Sequence, residues 1–178
     1  MRLGYEVMEK YARGSAGGLV ILWNPSEILF DNWVSIPLLI SGCFRHIGTR
    51  DWALLSNVYG PHIPREKVAF LQNIGKFKTL CPNDLWIIGE EFNLITSVDE
   101  KIGVIRPQDL EMEGFRDLIS DLKLVDIPTN NGMFTWNNQW GGQHQGASCL
   151  DIFLVTEGLI NRDIFFEASI IPGLGSDH

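Results

Sequence analysis

Five short stretches place polar side chains at the ends of apolar runs. They are SNVYGP with Asn57 and Tyr59, WIIGEEFN with Glu91 and Asn93, FTWNN with Trp136, CLDIFLV with Asp151, and a terminal Asp177-His178. A carboxylate, an amide, a phenol and an imidazole fixed by an aspartate are the parts of a phosphoester-hydrolysing site. The carboxylate activates water, a cation and the imidazole stabilise charge on the phosphate, and a second aspartate orients the imidazole. Each residue alone has an ordinary alternative. An aspartate at a strand start caps a turn, and a tyrosine before Gly-Pro fills an amphipathic one. The adjacent Glu90 and Glu91 are open to a solvated-charge reading as well. Order and spacing carry the case.

The elements that must position these groups follow from pattern and punctuation. LVILW after Gly17-Gly18 has the length of a strand, and Asn24-Pro25-Ser26 is a turn. Residues 27–34, 38–47 and 51–59 are further strand-like segments, and together they predict an antiparallel meander. Pro64 opens a predicted helix to about Leu80, with Phe70, Ile74, Phe77 and Cys81 on one face. Residues 85–89 make a buried strand, and 108–122 a helix striped by Phe115, Leu118, Ile119 and Leu122. Asn130-Asn131-Gly132 predicts a turn before a short FTW strand, and the Gly-rich stretch 138–148 a loop. Residues 150–155 and 164–171 are expected strands, with one helical turn over 157–162. Strands, helix, strand, helix and strands again fit one α/β domain in which sheets pack face to face with helices outside.

Composition narrows the classes. With 178 residues, 45% hydrophobic, the chain can bury one substantial core. No apolar run nears the roughly 18 residues of a membrane span, so no membrane partner is expected and the chain reads as intracellular. Three scattered cysteines, Cys43, Cys81 and Cys149, argue for free thiols. Cys43 and His46 have the spacing of half a zinc site with no second half. A net charge of −8 argues against a simple nucleic-acid binder yet leaves room for a metal-dependent phosphodiesterase.

The ordered series NVYGP, WIIG-x-x-FN, FTWNN, x-LD-x-FLV and SDH resembles the endonuclease/exonuclease/phosphatase (DNase I-like) superfamily. It is most similar to the endonuclease domains of plant non-LTR (LINE-type) retrotransposons, and the resemblance runs over 17–178. It implies a four-layer α/β/β/α sandwich and Mg²⁺-dependent cleavage of DNA phosphodiesters, with a nuclear location if that role is retained. Carried over by position, Tyr59 contacts the phosphate, Glu91 stands where the family has its water-activating aspartate, and Asn93 is that motif's asparagine. Asp151 orients the histidine, Asp177 is a metal-side carboxylate, and His178 stabilises the pentacovalent phosphate. Trp136 is expected near the bound strand.

Departures from the pattern matter as much. Residues 1–16 match neither the family's opening Asn strand nor its metal-binding Glu motif, which implies a domain incomplete at its N-terminus and after SDH. Glu91 replaces an aspartate, Glu90 a common glycine, and Cys149 the arginine usual before Leu-Asp. One added methylene displaces a carboxylate by about 1 Å, enough to cost about 10²-fold in rate. The expectation is a DNA-nicking endonuclease by descent, impaired or inactive, and of low solubility. The alternatives are an active phosphatase or phosphodiesterase with altered metal ligands, and a non-catalytic domain that binds nucleic acid or protein.

Overall fold

Phe70, Ile74 and Phe77 recur at steps of four and three, which keeps side chains on one side of an α-helix. In the computed structural model of the chain they line the buried face of α1 (Pro64–Phe77), with proline in its first turn, and a single 3₁₀ turn follows. Helix α2 (Met112–Asp121) buries Phe115 beside them, and Leu118, Ile119 and Leu122 pack on the same core. Buried Lys67 of α1 meets Glu111 at 3.4 Å, joining the two helices at their starts. The structure describes residues 4–12, 18–80, 84–103, 111–139, 145–162 and 166–171.

The central sheet has six strands in the order β3-β4-β5-β6-β11-β8. They are β3 (Ile28–Ile36), β4 (Leu39–His46), β5 (Ala53–Tyr59), β6 (Trp86–Glu91), β11 (Asp151–Thr156) and β8 (Leu124–Asp126). All pairs are antiparallel except β5 with β6, which α1 joins as a parallel crossover. Side chains alternate between faces. Leu39, Leu54, Val58, Trp86, Ile88, Ile152 and Leu154 face the helices, where full burial of each contributes about 1.5–3 kcal/mol. Among them Trp86 Nε1 donates to Ser56 Oγ at 2.9 Å, and Ser56 Oγ meets Ser41 Oγ at 2.7 Å, so the buried polar atoms are partnered.

Ile40, Leu55 and Tyr59 face the other way, onto a hairpin of β1 (Glu6–Lys10) and β2 (Leu19–Trp23) that contributes Met8, Leu19 and Ile21. Helices, central sheet and hairpin therefore stack as α/β/β. Among the described residues no helix covers the hairpin's outer side. A small sheet of β7 (Lys101–Ile102), β10 (Ala147–Ser148) and β9 (Trp136–Asn137) flanks the start of β11, and α3 (Glu157–Ile160) follows its end.

Several expectations are corrected. Strand β2 pairs with β1, in the segment before Gly17, instead of joining the meander, which is β3-β4-β5 alone. The strand expected at FTW is shifted to Trp136–Asn137, and the expected loop 138–148 contains β10. Strand β8 was not expected. The strand expected over 164–171 is reduced to one bridge, Thr129 to Ala168, with 163–165 outside the described residues. Cys43 and His46 sit three apart on a strand, so they point to opposite faces and share no site. Cys81 lies outside the described residues.

Candidate active site

Three of the expected residues meet through strand register. Tyr59 is opposite Glu91 across the parallel β5/β6 pair, and Glu91 is opposite Asp151 across the antiparallel β6/β11 pair. Register partners share a face, with Cβ atoms about 5 Å apart. Phenol and two carboxylates thus form one row on the face away from α1 and α2. Glu91 is 9% exposed, while Tyr59 and Asp151 are half-buried.

The strand ends are fastened to one another. Gly60 N–H donates to Glu91 O at 2.6 Å, Phe92 N–H to Leu150 O at 2.9 Å, and Asn93 Nδ2 to Gly60 O at 2.7 Å. Gly60 is obligatory here, because a Cβ at this position would lie 1.8 Å from Phe92 O. Asn93 therefore belongs to the site as a clamp between the loops that follow Tyr59 and Glu91, and it takes the left-handed φ of 53° that asparagine tolerates. Gly89 has a related cause: the ring of Phe153 covers it, 2.3 Å from where a Cβ would be.

Trp136 lies on the small sheet that flanks the start of β11. It stands half-buried on β9 opposite Ser148. Its neighbour Thr135 does the positioning that sequence reasoning missed, for Thr135 Oγ1 accepts N–H groups from both Leu150 (2.9 Å) and Asp151 (3.0 Å). Only its place inside FTWNN signalled it. His62 was missed as well: its Nε2 lies 2.9 Å from Tyr59 Oη, and the rings meet edge-on at 5.8 Å. The signal was Tyr-x-x-His beside a strand end. Asn57, two residues before Tyr59 on the same face, donates from Nδ2 to Val20 O at 2.9 Å, tying the hairpin to β5. Its buried Oδ1 has no donor among the described residues. Asp177 and His178 lie outside the described residues.

Charge is concentrated on the acidic side. Glu90, exposed at the crowded strand end, has its carboxyl pKa raised first by desolvation and then by Asp151. Cys149 is pushed up to about 12, by burial first and then by Glu100, Asp126 and Asp151. It stays a thiol at neutral pH and is no nucleophile. Asp126 is also raised, by burial and by Glu100, against a backbone hydrogen bond from Ile127. A thiol where the resembled family has arginine adds no positive charge to these carboxylates.

No family model matches the chain, and no curated protein matches it in sequence. Solved structures do match. The endonuclease domain of TRAS1, a telomere-specific non-LTR retrotransposon, aligns with a TM-score of 0.62 at 16% identity, over 88% of this chain and 69% of that one. TDP2 of D. rerio, solved with a single-strand DNA product, gives 0.54 at 11% identity, over 85% of this chain and 62% of that one. ANGEL2, a 2',3'-cyclic phosphatase, gives 0.57 at 10%, over 87% and 64%. The chain thus spans less than two thirds of the last two. It has the fold of the endonuclease/exonuclease/phosphatase proteins, mixed α/β with a multistranded sheet.

Proposed function

We propose that the row Tyr59–Glu91–Asp151 is a phosphoester-hydrolysing site, that its substrate is a DNA phosphodiester, and that its activity is impaired. The observation that carries this reading is the register that aligns a phenol and two carboxylates at one end of the sheet. Glu91 is the base that draws a proton from water, Tyr59 donates to a phosphate oxygen, and Asn93 holds the two loops in register. His178 and Asp177 keep the roles that the family resemblance implies.

Mg²⁺ is part of the proposal, and it would supply Lewis-acid stabilisation of the phosphate. The aligned carboxylates of Glu91 and Asp151 offer hard oxygen donors of the kind it takes. Among the described residues, however, no three His, Cys, Asp or Glu side chains are grouped to hold a metal. Asp177, the metal-side carboxylate that the resemblance implies, lies outside the described residues. The longer Glu91 side chain is the reason to expect weak activity.

Supercoiled plasmid incubated with the purified chain tests the reading. Slow nicking in Mg²⁺, lost with EDTA and in His178→Ala, is expected. Hydrolysis of a phosphomonoester without nicking would move the substrate to the phosphatase class. DNA binding at physiological salt without either reaction would favour a non-catalytic domain. No helix among the described residues is long and apolar enough to cross a membrane.

A further inference from the structure

His62 has no part in the proposed hydrolysis, yet its position is constrained. Its ring meets Tyr59 edge-on, with an interplanar angle of 73° and Nε2 2.9 Å from the phenol oxygen. The connection between the two residues has little freedom. Gly60 is fastened to β6 through Glu91 O, and Pro61 and Pro64 fix φ on either side of His62 and Ile63. His62 is exposed, so its ring stands at the solvent side of the strand that pairs Tyr59 with Glu91.

We propose that His62 is a positioning residue for phosphate binding: its Nε2–H donates to Tyr59 Oη and leaves the phenol hydrogen aimed at a phosphate oxygen at the end of β5. This rests on reading the row as a phosphoester site. The number of hydrogens the pair can share decides its role. A phenol has one, and an imidazole nitrogen either carries one or accepts one. If Nε2 is bare, it takes the phenol hydrogen, and that hydrogen is withdrawn from any ligand. If Nε2 carries the hydrogen, it donates to the phenol oxygen and releases the phenol hydrogen to a phosphate. The same contact polarises the O–H and strengthens that second bond. A bound phosphate oxygen therefore selects the Nε2–H form of His62, and His62 in turn holds the phenol aimed at the anion.

Inorganic phosphate is the probe, titrated into the full chain and followed by NMR. His62→Ala and Tyr59→Phe should each weaken phosphate binding about tenfold, the effect of one hydrogen bond to a charged group. The double variant should be no weaker than the weaker single one, because the two side chains act as a unit. His62→Gln, which retains an N–H donor, should recover most of the affinity, and saturating phosphate should shift the His62 ring nitrogen signals to the Nε2–H form. The proposal is overturned if wild type does not bind phosphate, if His62→Ala binds it unchanged, or if the two single effects multiply. Binding needs no turnover, so His62-dependent binding by an inactive chain upholds the contact and refutes only hydrolysis. Nicking with unchanged phosphate affinity in His62→Ala does the reverse.

Discussion

Adjacent and identical in sequence, Glu90 and Glu91 face different demands. Glu91 is buried in the row, whereas Glu90 is exposed and held at φ 93°. That region suits glycine and costs a side chain about 1–2 kcal/mol. Glu90→Gly should therefore raise stability by about 0.5–1 kcal/mol after the added freedom of the unfolded glycine is subtracted, read by urea unfolding. Glu90→Gln isolates the charge. A carboxyl whose folded pKa is raised adds stability that is complete below its ordinary value of 4.5 and is lost as pH rises through the folded value. The glutamine variant should thus be the more stable protein at pH 7, with the gain gone below pH 4.5. Gly60→Ala tests the neighbouring clamp: a Cβ 1.8 Å from Phe92 O must separate β5 from β6, at a cost of about 3 kcal/mol or more.

The aspartate of the row is set by hydrogen bonds from a separate strand segment. Thr135 Oγ1 takes the N–H groups of Leu150 and Asp151, so Thr135→Val leaves two backbone donors unpartnered where β11 begins. The expected loss is about 1–3 kcal/mol. Hydrogen exchange at the Leu150 and Asp151 amides should quicken while that of Leu154, deep in the same strand, stays slow. This link was invisible in the sequence because the two partners are 15 and 16 residues away. Elements held by their own periodicity were readable: α1 by its apolar stripe, and β4, β5 and β11 by apolar runs between turn residues. Strands β1 and β8 were not. EVMEK and LVD carry too little pattern, and they become strands only because β2 and β11 offer them a partner.

At the scale of the whole molecule, an apolar surface stands out among the described residues. The outer side of the hairpin exposes Val7 (54%), Val20 (45%) and Leu22 (60%), with Val7 directly opposite Leu22. Exposed contiguous apolar strands favour self-association. Leu22→Lys should lower the scattering of concentrated samples without lowering the melting temperature. The mixed α/β class with a multistranded sheet could be expected from the ordered motifs, of which NVYGP, GEEFN and LDIFLV mark strand ends that converge in one sheet. Of the candidate site, the row alone can be traced to strand pairing. Tyr59, Glu91 and Asp151 meet because register puts them there, whereas the part played by His62 depends on a loop bound to β6 by backbone contacts that no motif encodes. The most direct test of the account compares plasmid nicking in Mg²⁺ by wild type, Glu91→Asp and Glu91→Gln. Shortening the side chain should undo the displacement of the carboxylate and raise the rate on the order of 10²-fold, while the glutamine variant should show none above background. Equal nicking by all three, or none by Glu91→Asp, would contradict a catalytic role for the row.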